Sequence, residues 1–372
     1  KFEQWWDKLP KVPLSYMGFG LTWVFSELMF VNAPGAAPTQ GLLFNIYDAA
    51  SIAIAALIVA LTSRPTWTRR LASIPFILPA TFGFMACSIF LRIIQTYWFP
   101  AMGFLGIGSA VSAGAGSALA YALWGEFLGC LDPVKVATTY TLDLMVRVAI
   151  IWTATPLPPL QFWTVVTLSA GGGMLGLWRA YANLDREEVP RSPQGRISIP
   201  WKPLSVLMLC AASLALVYAF AGNTLGVNGN PGGFIAALII FFILAIKRYD
   251  FSFPLLWKLA LGAMAVSFVP FGIVSPQFEQ VSAVCASASY ALCLMLTAAI
   301  LANLSYRYSV SGAWLFSIEF ICRLVAAHAG SFIGTTLSQF FAAPYPTSLL
   351  VGGTFALFLL AIAMVIAMQE KS

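Results

Sequence analysis

Two apolar segments of the sequence carry the same charged pattern: Leu142-Asp143-Leu144-Met145-Val146-Arg147-Val148 and Ile318-Glu319-Phe320-Ile321-Cys322-Arg323-Leu324. Each segment has an acid and an arginine four residues apart, and a constant offset of 176 residues separates the two copies. Residues at i and i+4 lie on the same face of a helix, so each segment predicts an apolar helix with one charged face. Duplication of half of the chain explains the repeat more simply than chance does.

The composition places this pattern in a membrane protein. Of the 372 residues, 9% are charged and 60% are hydrophobic, and the mean hydropathy is +0.84. A soluble chain has about 25% charged and about 45–50% apolar residues. The composition therefore excludes a soluble enzyme, a disordered chain and a disulfide scaffold, and it predicts an all-α polytopic membrane protein.

Apolar windows of about 20 residues, the length that crosses the hydrocarbon layer, predict twelve transmembrane helices. They cover residues 13–31, 41–62, 71–91, 98–123, 133–153, 160–179, 203–221, 232–247, 254–274, 281–302, 312–337 and 347–368. A charged linker at 181–202 separates a predicted six-helix half at 1–180 from a second half at 203–372. Two six-helix halves related by an axis along the membrane normal are typical of transporters of the major facilitator type.

The distribution of lysine and arginine predicts the orientation, because short cytoplasmic loops carry an excess of both. With the N-terminus inside, the inner segments hold 16 of the 20 basic residues. These are Lys1, Lys8, Lys11, Arg64, Arg69, Arg70, Lys135, Arg179, Arg186, Arg191, Arg196, Lys202, Lys247, Arg248, Arg307 and Lys371. We therefore expect both termini in the cytoplasm, and the net charge of +6 is mainly a topology signal.

Ionisable residues inside the predicted helices are the candidates for ligand binding or gating. Each costs about 2.5–3.5 kcal/mol at the centre of a membrane helix, so such groups normally face the bundle interior in pairs. The candidates are Glu27, Asp48, Asp143, Arg147, Glu319 and Arg323. The acid and the arginine of each repeated segment are expected to neutralise each other. They serve either as packing salt bridges or as the lining and gate of a central cavity.

Two of these acids have no evident partner on their own helix. Glu27 and Asp48 could each bind a proton or a cation, although Asp48 is close enough to the outer end of its helix to be simply hydrated. Arg92 lies at the outer end of the third predicted span. We expect its side chain to reach the lipid headgroups rather than to pair with one of these acids.

Other chemistry is not indicated. The six cysteines form no C-x-x-C pair, and His328 is the only histidine, so we expect no metal site, no catalytic triad and no cofactor. Small residues four apart in the fourth span, Gly108, Ser112, Gly116 and Ala120, favour close helix packing. The protein is not expected to be an enzyme.

The loop at residues 61–70 argues against a transporter. Major facilitators commonly place a Gly-x-x-x-Asp-Arg-x-Gly-Arg-Arg motif between their second and third spans. Here Arg64, Arg69 and Arg70 are present, but the glycines and the aspartate are missing. In that family those residues help the two halves to move against each other.

A second family is closer in its local sequence. Leu123-Trp124-Gly125-Glu126, residues 133–140 and residues 306–314 resemble the twelve-span membrane domains of bacterial LuxR-type helix-turn-helix regulators. The resemblance implies a domain of the bacterial cytoplasmic membrane that lies in the lipid bilayer and senses a small organic ligand. It also implies DNA contact only through a C-terminal domain that is absent from this chain. The alternative is a secondary transporter of the major facilitator type.

Overall fold

The computed structural model describes residues 12–30, 40–64, 70–184, 199–221, 232–246, 253–268, 276–341 and 347–368. Within these ranges the regular structure is helical, with twelve α-helices that correspond one to one with the twelve predicted spans. They are α1 Gly18–Phe30, α2 Gln40–Thr62, α3 Ile77–Tyr97, α4 Gly103–Leu128, α5 Pro133–Ala154, α6 Pro159–Ala182, α7 Trp201–Ala221, α8 Gly232–Ile246, α9 Phe253–Phe268, α10 Pro276–Tyr308, α11 Gly312–Phe341 and α12 Thr347–Met368. Short 3-10 helices at Leu14–Met17 and Leu71–Ser73 precede α1 and α3.

Eight of the described helices are long and apolar enough to cross a membrane by length and composition: α2, α3, α4, α6, α7, α10, α11 and α12. Shorter apolar helices lie at Gly232–Ile243 and Trp257–Phe268, within α8 and α9. Helix α1 has 13 residues and continues from the 3-10 helix. Helix α5 has 22 residues, and Asp143 and Arg147 lower its hydropathy.

The start of the third helix differs from the prediction. The apolar run begins at residue 71, but α3 begins at Ile77. Ile74 has an extended backbone, with φ −80° and ψ 115°, because the ring of Pro75 disfavours the helical conformation for the residue before it. The helix therefore starts after this proline and ends at Tyr97, later than predicted.

The fourth helix also ends later than the prediction of residue 123. It continues to Leu128 and includes Glu126. The carboxylate of Glu126 is buried and hydrogen-bonded, so this charge does not end the helix.

Contacts between Cα atoms divide the chain into two compact units. The first unit contains residues 10–197 and 301–321, and the second contains residues 1–9, 198–300 and 322–372. In the first unit α4 packs against α2 and α3, and α1 packs against α5 and α6. In the second unit α12 packs against α7 and α9.

Small residues bring the helices of the first unit close together, as the sequence predicts for α4. A side chain at Gly116 would meet Met85 of α3 at 2.9 Å, and one at Gly108 would meet Leu91 at 3.3 Å. Gly108 and Gly116 thus form one face of α4 against α3, and the predicted close packing is confirmed.

Several expectations concern residues that lie outside the described ranges. Most of the linker 181–202 is among them, as are both termini with Lys1, Lys8, Lys11 and Lys371. The six-plus-six division at 1–180 and 203–372, the pseudo-symmetry of α5 and α11 and the cytoplasmic termini therefore stay predictions.

Candidate functional site

An ion pair joins α1 to α5 inside the first unit. The Nε and Nη2 atoms of Arg147 donate to Oε2 of Glu27 at 2.8 and 2.5 Å. The side chains are 27% and 20% exposed, respectively. Glu27, which has no evident partner on its own helix, is therefore paired with an arginine of another helix, and the pair is partly exposed.

Aromatic rings surround this ion pair. The guanidinium of Arg147 lies over the ring of Trp23, 4.5 Å from its centroid, which adds a cation–π attraction. Trp23 is stacked on Tyr121 of α4 at 6.4 Å and meets Tyr140 of α5 edge-on at 5.7 Å. The charge of Arg147 is thus held between a carboxylate and an aromatic face.

The predicted pair within α5 does not form. Asp143 accepts a hydrogen bond at its Oδ1 atom from the backbone N–H of Gly20, at 2.8 Å, and Arg147 turns to Glu27 instead. Gly20 lies in the first turn of α1, where backbone N–H groups lack partners within the helix. A Cβ atom at Gly20 would collide with the backbone oxygen of Asp143, so the missing side chain lets α1 come within reach of this carboxyl.

The second repeated segment divides between the two units. Glu319 belongs to the first unit, where its Oε2 atom accepts a hydrogen bond from the hydroxyl of Tyr121 at 2.5 Å. Phe320 stacks on the same tyrosine ring at 4.7 Å. Arg323, one turn further along α11, belongs to the second unit. Tyr121 therefore contacts both Glu319 and Trp23, and the ring of Trp23 in turn contacts Arg147, the partner of Glu27.

The remaining predicted acid is buried. Asp48 of α2 is 3% exposed, although it is only the ninth residue of its helix. This burial argues against the simple hydration that its position in the sequence suggested. Its neighbour Tyr47 packs on Phe30 of α1 at 5.0 Å.

The expected position of Arg92 is wrong. Its side chain is 5% exposed, and its Nη1 atom donates to Oε1 of Gln95 at 2.8 Å. Gly106 of α4 lies directly against Gln95, where a Cβ atom would come within 2.7 Å. Because α4 covers α3 at this glycine, Arg92 is enclosed by protein and does not reach the headgroups.

Glu126 holds the segment that precedes α3. Its carboxylate accepts from the backbone N–H groups of Leu71 at 2.8 Å and Ala72 at 2.9 Å. The hydroxyl of Tyr181 in α6 lies 3.4 Å from the same carboxylate. An acid from α4 thus anchors the chain after the loop that lacks the expected aspartate.

A buried thiol lies beside this anchor, just after the end of α4. Nη1 of Arg70 donates to Sγ of Cys130 at 3.4 Å. Burial raises the pKa of Cys130 to about 11, against the smaller opposite effect of Arg70. The thiol is therefore neutral at physiological pH and serves as a packing group.

Sequence reasoning missed Trp23, Tyr121 and Glu126. Trp23 precedes Glu27 by one helical turn, and this spacing was the available signal for it. Glu126 follows the predicted span 98–123, so the apolar pattern gave no signal for a buried acid at this position. Among the residues that the structure describes, no group of three His, Cys, Asp or Glu side chains could hold a metal ion.

Solved structures with a similar arrangement of helices include membrane transporters and a transporter homologue. A bacterial homologue of the iron transporter ferroportin, in an outward-facing state, matches with a TM-score of 0.65 and 14% identity, over 96% of this chain and 97% of that chain. The proton:xylose symporter XylE of the major facilitator superfamily matches with a TM-score of 0.64 and 13% identity, over 95% and 94%. The fold is that of the major facilitators.

A human protein extends this comparison. The organic anion transporter MFSD10 shares the major facilitator fold with a TM-score of 0.62 and 13% identity, over 95% of this chain and 97% of its own. No protein-family model matches the sequence, and no curated protein matches it either. The predicted fold class, an all-α polytopic membrane protein of the major facilitator type, is confirmed, and the similar structures are transporters rather than enzymes.

Proposed function

We propose that this protein is a secondary transporter that moves a small organic solute across the cytoplasmic membrane of a bacterium, with both termini in the cytoplasm. The observation that carries the proposal is the extent of the structural similarity. The chain matches 94–97% of the length of three transporters as well as 95–96% of its own length. The similarity therefore includes nearly every element that those carriers possess.

The chemistry of the first unit supports a transporter. Ionisable groups inside a membrane protein normally mark a path for a substrate or an ion. Here the Glu27–Arg147 pair joins two helices and is one-fifth to one-quarter exposed. We propose that this pair contacts the solute or gates its path. In this proposal the same pathway is served by the other candidates, which are Asp48, Asp143, Glu319 and Arg323.

The anchoring of the segment before α3 weakens the strongest objection to a transporter. The loop lacks the aspartate that major facilitators use, but Glu126 supplies a carboxylate to the backbone of Leu71 and Ala72. Arg70 is next to these two residues. The segment thus keeps an acid, a basic residue and a fixed backbone, although the acid comes from α4.

The sensing domain of a LuxR-type regulator stays a prediction. Four of the similar structures are described as transporters or transporter homologues, and none of these four bears on such a domain. Both functions would use a ligand site in the membrane. The two functions differ in whether the ligand crosses the membrane.

An unbiased uptake assay separates the two functions. The purified protein is reconstituted in liposomes and incubated with an isotope-labelled extract of bacterial metabolites, and mass spectrometry identifies the solutes retained inside. We expect at least one solute to accumulate by a saturable process, to show counterflow, and to be lost in Arg147→Ala. Gly262→Ala is the matched control, because nothing lies within 4 Å of a Cβ atom there.

Two results would contradict the proposal. Retention of no solute above the level of empty liposomes would remove the transport function. A solute that raises the melting temperature of the protein without any uptake or counterflow would favour the sensor.

A further inference from the structure

Asp143 is a buried acid with one unsatisfied oxygen. Its side chain is 3% exposed, and Oδ1 accepts from the N–H of Gly20. Its Oδ2 atom has no hydrogen-bond partner among the described residues. A buried polar oxygen without a partner is costly if it carries negative charge, and the cost falls when the oxygen carries a proton.

Among the residues that the structure describes, no cation pairs with Asp143. The nearest basic residue along its helix face is Arg147, and the guanidinium of Arg147 is bonded to Glu27. Other titratable groups lie on α5 and on the elements that are packed against it. They are Tyr16, Glu27, Arg179 and Tyr181 on the neighbouring elements and Lys135, Tyr140 and Arg147 on α5. None of them forms a hydrogen bond or an ion pair with Asp143.

The ionised form of Asp143 is nevertheless stabilised by one of its neighbours. Its Oδ1 atom faces the first turn of α1, where the helix dipole favours negative charge. The Oδ1 atom can accept from Gly20 whether or not Oδ2 is protonated. Burial favours the acid and the helix terminus favours the carboxylate, so this site can load and unload a proton without losing its contact with α1.

We propose that Asp143 is the proton-binding site that couples this carrier to the proton gradient, with Arg147 exchanging between Glu27 and Asp143; this rests on the proposed transport function. With the proton on Oδ2, Asp143 is neutral and Arg147 pairs with Glu27, as observed. When the proton leaves, the carboxylate competes for Arg147, which lies one helical turn away. The exchange would shift the contact between α1 and α5 in step with proton binding.

The geometry favours a proton over a metal cation. Cations such as Ca²⁺ and Mg²⁺ need several oxygen ligands around them. Asp143 offers a single free oxygen on a side chain that is buried in the protein. Glu27 and Asp48, the acids that the sequence suggested for this role, lie elsewhere: Glu27 has Arg147 as its partner, and Asp48 is on α2.

Infrared spectroscopy of the reconstituted protein tests proton binding without a substrate. At neutral pH we expect a carboxylic-acid C=O band that shifts in D₂O and disappears in Asp143→Asn, an isosteric change that can keep the bond from Gly20. Glu27→Gln should weaken the same band, because it frees Arg147 to pair with Asp143. Asp48→Asn is the matched control and should leave that band in place. Identical spectra for wild type and Asp143→Asn would overturn the proposal.

Transport of the solute found in the uptake assay tests coupling. With one proton per solute, a gradient of one pH unit should support about tenfold accumulation. Asp143→Asn should keep counterflow but lose accumulation. Asp132→Asn, the same exchange at an exposed acid outside the candidate set, should keep both. Accumulation that ignores the pH gradient, or that follows a sodium gradient, would overturn the proton site and leave the transport function intact. Absence of uptake in the wild type would instead contradict the transport function, and the infrared result would stand by itself.

Discussion

The α1–α5 contact of the first unit and the α7–α11 contact of the second use the same packing device. In the first, a Cβ atom on Gly20 would collide with the backbone oxygen of Asp143. In the second, a Cβ atom on Gly330 would collide with the backbone oxygen of Ala212, and one on Gly334 would lie 2.7 Å from that of Leu216. Glycine therefore brings two helix backbones together in both places.

The two contacts differ in the side chains beside the glycines. At α1–α5 the neighbours are the carboxyl of Asp143 and, one turn away, the Glu27–Arg147 ion pair. At α7–α11 the contacted residues are Ala212 and Leu216, both apolar. Close packing in a membrane needs small residues but no charge. The acids of α1–α5 are thus an addition to a contact that would form without them.

The largest expected effect comes from the glycines themselves. Gly20→Ala and Gly330→Ala should each destabilise the protein by about 1–3 kcal/mol, since an added methyl group forces the helices apart. The two losses should be similar if packing is equivalent in the two contacts. Detergent melting curves measure them, and Gly262→Ala, which meets nothing within 4 Å, is the control. A loss of stability in only one of the two glycine variants would show that packing is not equivalent in the two contacts.

A smaller effect should come from charge and occur only in the first contact. Arg147→Leu leaves Glu27 without its partner. We expect a loss of about 1–2 kcal/mol, between the effect of about 0–1 kcal/mol for exposed pairs and that of about 3–5 kcal/mol for fully buried pairs. The double variant Glu27→Leu/Arg147→Leu should recover most of the loss. Melting temperatures check both, and Lys135→Leu is the control because its pair with Asp132 is more exposed, with side chains 33% and 42% accessible. A double variant no more stable than the single one would mean that the pair does not act as a unit.

The smallest effect should come from the apolar packing of the second unit. Sγ of Cys210 in α7 lies 3.9 Å from Sγ of Cys293 in α10, and both residues are fully buried. Cys210→Ala removes one buried sulfur and should cost about 1 kcal/mol. Cys87→Ala, at an exposed position, should be neutral. Melting curves test both, and a large loss at Cys210 would show that the second unit also depends on a polar contact.

The sequence was sufficient to predict the twelve described helices because each coincides with an apolar run, although only eight of them are long and apolar enough to cross a membrane. The predicted start of α3 and the predicted end of α4 were wrong, because at each of them one residue has more influence than the average hydropathy. Pro75 delays α3, and the buried carboxylate of Glu126 allows α4 to continue. Each effect depends on a single residue. An average of hydropathy over twenty residues cannot detect such an effect.

The ionisable residues of the site were also visible in the sequence, but their partners were not. The spacing of Asp143 and Arg147 permits an ion pair, yet Arg147 contacts Glu27, which is 120 residues earlier. Spacing determines which groups share a helix face. It does not determine which neighbouring helix presents a competing acid, and that depends on the close approach of α1 at Gly20.

The anchor at Glu126 has a consequence for the synthesis of the protein. Its carboxylate comes 55 residues after Leu71 and 54 residues after Ala72, and ribosomes build chains from the N-terminus. When α3 enters the membrane, the two N–H groups ahead of it have no acceptor from the protein, so water must satisfy them at the membrane surface. The turn before α3 takes its final form only after the end of α4 has been translated, which makes the order of helix insertion part of how this loop is built.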